Sequence, residues 1–352
     1  MNKGLSVSAM LVLALMSACG QQAARTGASK PASPSPSATA TAAATDAATP
    51  VTTTAAPAAP AVMTCKLPAV TNNDAGWVTF PGGSYQPDPN ANTSLPHSSG
   101  LPLSKSYAKA VERWVPVTRD QISPDGKHYA YADLPAVNTS PVHVIDLPSG
   151  VNHAFNPGTP PPDSSWLAVD YETEGVYLEA QPNGPAGPSG LWLVDPSNGS
   201  VRAIDTTHAW QYISGGGAWG TSDALTGHGP GPGSRLLRMD LKTGAIVSWY
   251  KRTDIEFTVA GADGAGHPIL EVSKPFAPQL LLITAANSAT ILQLAPGSGV
   301  PSLSNYIHPV TDSHGIWFGD TAGSLSLYTL ATGIKKMAQV GSSDVTAGGG
   351  CH

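Results

Sequence analysis

Residues 121–133 read QISPDGKHYAYAD, and residues 142–150 read VHVIDLPSG. Pro-Asp-Gly is a turn signal with a mechanism: Pro presets φ, Asp bonds nearby backbone, and Gly accepts positive φ. The alternation that follows, Tyr129-Ala-Tyr131-Ala, has the two-residue period of a half-buried strand. The second segment has a related pattern. It predicts an apolar strand over 142–145, a tight turn closing on Gly150, and a further strand over 151–155. Together the two segments predict four antiparallel strands made of two hairpins.

The second segment recurs along the chain. Leu193-Val-Asp-Pro-Ser-Asn-Gly199 and Arg238-Met-Asp-Leu-Lys-Thr-Gly244 are close copies, Leu282-Ile-Thr-Ala-Ala-Asn-Ser288 is degenerate, and Leu327-Tyr-Thr-Leu-Ala-Thr-Gly333 is the last. The copies end at positions 150, 199, 244, 288 and 333, so the spacings are 49, 45, 44 and 45. Weaker equivalents of the first hairpin begin at Gly175, Gly266 and Gly315. Four strands in each unit of about 45 residues, without helical intervals, predict a propeller blade.

ISPDGKHYAYAD followed by VHVIDLPSG resembles the TolB-like and WD40-like (PD40-type) repeats of extracytoplasmic bacterial proteins. The likeness covers about residues 113–340, closely in one unit and loosely in four. The Trp-Asp and Gly-His dipeptides of true WD40 repeats are absent. The resemblance implies an all-β propeller of four-stranded antiparallel blades and carries no functional residues onto this chain. Five hairpin units are visible. Two further strand candidates, 77–80 and 113–117, and the C-terminal stretch 342–350 would build a sixth blade from both ends of the chain. Six blades are therefore expected, with five and seven as alternatives.

The remaining N-terminal sequence reads as an address. Lys3 precedes an apolar run over 5–16 that is too short to span a bilayer, as in a signal peptide. Met16-Ser-Ala-Cys19-Gly20 resembles a bacterial lipobox, which implies cleavage after residue 18 and lipidation (palmitate among the acyl chains) at Cys19. Residues 19–62 are mostly Ala, Thr, Pro and Ser with no aromatic residue and almost no charge, a composition that cannot offset its ordering entropy and predicts a disordered tether. The domain map is thus 1–18 signal peptide, 19–62 tether and 63–352 propeller. The expected location is extracytoplasmic, lipid-anchored to the bacterial cell membrane.

Charged residues are only 12% of the chain, and 18 Lys and Arg against 24 Asp and Glu leave a net charge of −6. That balance gives no basic face for phosphates, so nucleic acid is excluded as a partner. No HExxH, close His/Cys zinc spacing, GxSxG elbow or phosphate loop occurs, so no metal, cofactor or catalytic residue is expected. Cys65 and Cys351 stand at the two ends of the domain, and in an oxidising compartment they are expected to form a disulfide. The carboxylates Asp170, Glu172 and Glu174 read as a solvated turn.

Loops entering the innermost strands crown a propeller channel, and aromatic residues are enriched where proteins recognise ligands. By repeat position those places hold Trp166, His208, Trp210, Tyr306 and His308, with Arg119, Asp120, Asp254 and Asn305 at comparable points. The aromatic and neutral-polar set is expected to bind a ligand without turnover, because it supplies no paired acid and base. The expected function is a non-enzymatic binding or scaffold module, acting as a monomer on a protein or glycan partner of the cell envelope. The alternatives are a TolB-like envelope structural partner and a carbohydrate-active hydrolase or lyase. For the anchor, Cys19→Ala should abolish incorporation of labelled palmitate into the expressed chain. Continued labelling of that variant would exclude Cys19 as the acylated residue.

Overall fold

The computed structural model describes residues 63–72, 74–92, 94–98, 105–133, 141–161, 164–182, 190–222, 233–274, 279–303 and 308–352. The signal peptide, Cys19, the tether and Tyr306 lie outside the described residues.

The described chain is an all-β propeller of six blades. Blade three is Ser164–Glu172, Gly175–Pro182, Leu191–Val194 and Val201–Asp205, with each strand antiparallel to the next. Blade four is Tyr212–Ser214, Gly217–Ser222, Arg235–Asp240 and Ile246–Lys251. Blade five is Glu256–Ala262, Pro268–Lys274, Gln279–Ala285 and Ser288–Ile291. Blade six is Val310–Asp312, Gly315–Gly319, Ser324–Thr329 and Gly333–Gln339. Blade two is His128–Ala132, Val142–Asp146 and Asn152–Phe155, and its innermost position is Ile122, bridged antiparallel to Tyr129.

Blade one takes strands from both ends of the chain, as its sequence implies. Val345–Ala347 is innermost, followed by Cys65–Thr71, Ala75–Phe80 and Ser84–Pro87. One expected strand is placed differently. Arg113–Val115 pairs with Ser106–Ala108 in a separate two-stranded hairpin between blades one and two. Its buried residues Ala108, Val115 and Val117 pack with Tyr129 and Ile145 of blade two, so its apolar face is covered without joining blade one.

The repeated turns explain the repeated sequence. Asp195 accepts hydrogen bonds from the Ser197 N–H and hydroxyl, and Asp240 accepts them from the Thr243 N–H and hydroxyl. The closing glycines 150, 199, 244 and 333 all have φ near +70°. In the degenerate copy the left-handed position falls on Asn287, a residue type that tolerates this region.

The core lies between blades. Leu67, Val78 and Val345 of blade one pack on Trp317, Leu325 and Leu327 of blade six. Tyr177 and Leu191 of blade three meet Ile213, Ala218 and Met239 of blade four. The blades approach closely at Gly319 of blade six, where a Cβ would overlap the Val345 carbonyl oxygen.

One buried charge carrier stands in this core. Glu179 shares the strand face of Tyr177 and is 3% exposed, and its Oε1 meets no hydrogen-bond partner among the described residues. Burial pushes its pKa from 4.5 up to about 8. Between those values the unfolded state has released a proton that the folded state keeps, so stability falls as pH rises from 4.5 to about 8. Glu179→Gln is neutral throughout. Denaturant unfolding should therefore show the variant gaining on wild type as pH rises across that window. A constant difference would show that Glu179 does not stay protonated in the fold.

Candidate functional site

The site is set by a short 3₁₀ turn, Arg119–Gln121, that leads into blade two. The Gln121 side chain fixes it. Its Oε1 accepts from the Thr118 N–H (3.0 Å), and its Nε2 donates to the Ala168 carbonyl of blade three (2.8 Å). Held on both sides, the turn presents Arg119 and Asp120 to the channel.

The inner strand of blade three contributes the second group. Asp170 is opposite Tyr177 and Ala168 is opposite Leu178, so Val169 is an extra residue in a β-bulge. Bulges re-aim side chains. Beyond this one, Asp170 and Glu172 line the same cavity as Asp120. Tyr212, the first residue of blade four, is the third contributor.

The cavity measures about 440 Å³. Turns that follow the inner strands form its walls, including Pro124, Gly215, Gly264 and Gly266. Within its lining the Asp120 carboxylate joins three blades. Its Oδ1 accepts a 3.0 Å hydrogen bond from the Tyr212 hydroxyl, and its Oδ2 lies 2.6 Å from His308 Nδ1, two residues before blade six. The Tyr212 and His308 rings meet edge to face, with centroids 5.5 Å apart.

These contacts drive neighbouring carboxyl groups in opposite directions. Burial alone would raise the Asp120 pKa. The His308 hydrogen bond and charge, the Tyr212 hydroxyl and Arg119 outweigh burial and hold it below the usual carboxylate range. Asp170 is pushed well above that range, first by burial, then by the negative charges of Asp120 and Glu172. Glu172 is raised by burial, Glu174 and Asp120. The mouth thus offers an ionised acceptor, a carboxyl group biased toward its protonated donor form, and a guanidinium. Asp170 and Glu172, expected in a solvated turn, are a buried and a half-buried channel residue.

The aromatic crown residues lie elsewhere. Trp166 is 4% exposed, with Nε1 donating to the Gly158 carbonyl and its ring edge-on to Trp192. Trp210 is 1% exposed within the core between blades three and four, and its Nε1 donates to Asp205 Oδ2. His208 sits on the same Asp205 carboxylate, with Nδ1 3.0 Å from Oδ2. These three do not line the channel cavity, and His308 reaches it only through its contact with the Asp120 carboxylate. Arg119 and Asp120 were legible from repeat position. Asp170 and Tyr212 are the additions, and the signal for Asp170 was a carboxylate directly after the apolar run Trp166–Val169 of the inner strand.

Tyr212→Phe removes one donor from a buried carboxylate. Hydrogen bonds to charged groups contribute about 1.5–3 kcal/mol, and a loss of that size is expected in urea unfolding at neutral pH. The variant should also lose stability earlier on acidification. Asp120 stabilises the fold above its unfolded pKa of about 3.8 and ceases to as pH falls through its lower folded value, which the substitution raises. A neutral-pH change below about 0.5 kcal/mol, the range of an ordinary surface substitution, would show that the bond does not form.

No protein-family model matches the chain, and no curated protein sequence matches it. Among solved structures it is similar to TolB from Acinetobacter baumannii, at 13% identity and TM-score 0.46 over 82% of this chain and 67% of that one. It is also similar to the β-propeller domain of the Trilobed protease from Pyrococcus furiosus, at 14% identity and TM-score 0.43 over 64% of this chain and 72% of that one. A third likeness is to virginiamycin B lyase from Staphylococcus aureus, at 13% identity and TM-score 0.41 over 79% of this chain and 86% of that one.

Proposed function

We propose that this chain is a lipid-anchored extracytoplasmic binding protein whose channel mouth takes a hydroxyl-rich ligand of the envelope-glycan type. Cys19 carries the anchor and residues 19–62 the tether, on the strength of the lipobox-like sequence and the composition that follows it. The observation that carries the ligand class is the cavity of about 440 Å³ lined by Arg119, Asp120, Asp170 and Glu172. Its volume falls within the range of small-molecule sites, roughly 300–1,000 Å³. A sugar hydroxyl both donates and accepts. Ionised Asp120 accepts, Arg119 donates, and protonated Asp170 can do either.

One observation favours a second reading, a glycan hydrolase or lyase. Two carboxyl groups with pKa values driven apart in one cavity are the arrangement that divides acid from base roles. The wild-type protein should bind short envelope-glycan fragments in calorimetry. Arg119→Ala and Asp170→Ala should each weaken binding by tenfold or more, which is about 1.4 kcal/mol. Unaltered affinity in both variants, or no binding by any fragment, would overturn the proposal. Mass spectrometry of the incubated fragments separates the two readings. Cleavage by wild type that Asp170→Asn abolishes, with binding retained, would establish the enzyme.

A further inference from the structure

We infer that Cys65, Cys351 and His314 form a site for a thiophilic divalent cation, Zn²⁺ being the type, that is available when the Cys65–Cys351 disulfide is reduced. Cys65 opens the first strand of blade one, Cys351 is the penultimate residue, and His314 lies in the turn between the first two strands of blade six. The cysteines are bonded across 286 positions, with Cα atoms 5.7 Å apart. One nitrogen of His314 and both sulfurs lie within 4.8 Å of one another. A tetrahedral zinc with bonds of about 2.3 Å to sulfur and about 2.0 Å to nitrogen spaces its ligands about 3.5–3.8 Å apart, so small side-chain rotations suffice.

Two features hold these ligands together without the disulfide. The backbone does so first: Lys66 N–H donates to the His352 carbonyl, and His352 N–H donates back to that of Lys66. Each cysteine is thus next in sequence to a paired residue. Asp312 does so second. Its Oδ1 accepts the His314 N–H (2.7 Å) and its Oδ2 accepts the Cys351 N–H (2.7 Å), so one carboxylate positions two of the three ligands. His314 Nδ1 is buried and makes no hydrogen bond, although Asp312 Oδ1 lies 3.4 Å away. A cation bound directly by this nitrogen would satisfy it. Two thiolates and one imidazole leave a fourth position for water, a donor set that suits zinc.

The chemistry balances as follows. A dithiol reductant gives two electrons and two protons to the Cys65–Cys351 bond and leaves as its own disulfide. A phosphine does the same by leaving as its oxide, with oxygen and protons from water. Binding then releases two protons from the two thiols to solvent.

The test uses the full chain carrying Cys19→Ala, so that no other thiol responds, reduced with a phosphine and titrated with Co²⁺. One equivalent should bring up thiolate-to-cobalt charge-transfer absorption and the visible bands of tetrahedral Co²⁺. The oxidised chain should show neither. His314→Ala should weaken binding at least tenfold or change the spectrum to that of a site without imidazole. Zn²⁺ should raise the melting temperature of the reduced chain and leave that of the oxidised chain unchanged. Absence of the spectrum in the reduced chain, an unaltered titration in His314→Ala, or no thermal shift with Zn²⁺ would each overturn the inference.

Discussion

The reciprocal hydrogen bonds between Lys66 and His352, continued by the pairing of Ala69–Thr71 with Val345–Ala347, close the ring. A blade has two faces, and each must be covered by a neighbour. Blades one and six cover each other only because the chain's last strand is built into its first sheet. Leu67, Phe80, Trp317 and Val345 would otherwise form two separate exposed apolar faces. Asp312 adds a polar fastening at the same seam, accepting from Cys351 N–H and Trp317 Nε1. Because removing this strand uncovers the faces on both sides of the seam, its loss is not confined to one blade.

The electrostatics of the channel follow from ring geometry. Six blades direct their inner strands at one axis, so side chains remote in sequence become neighbours with little water between them. Where water is scarce a charge keeps its ionised form only with partners. Asp120 has His308, Tyr212 and Arg119. Asp170 has no comparable set; burial pushes its pKa up, and the Asp120 charge pushes it the same way. The contrast between the two carboxyl groups therefore follows from the partners each meets at the channel: Asp120 from its turn before blade two, Asp170 from beyond the bulge of blade three.

Local grammar was legible in the sequence. The Asp-x-x-x-Gly turns, the strands around them and the two-ended blade all rest on contacts within about fifty residues or on the requirement that a ring must close. The channel was less legible, because its contacts are long-range. Tyr212 and Asp120 are 92 positions apart, and His308 and Asp120 are 188 apart. No periodicity encodes such a pair. Trp166 and Trp210 are instructive in the same way. Repeat position put them near the axis, but an indole needs both an apolar slot and an acceptor, and the inter-blade core offers both. Arg113–Val115 had the pattern of a blade strand and became a connector, since pattern alone does not say which sheet a strand will join.

The link from Asp120 to Tyr212 and His308 also has a mechanical side. The three residues belong to blades two, four and six, alternate members of the ring. They act as a spoke set: no one of these blades can tilt outward without breaking a bond to a buried charge. The bore of the propeller is thereby fixed by side chains as well as by strand number. Widening the cavity would therefore mean breaking these bonds.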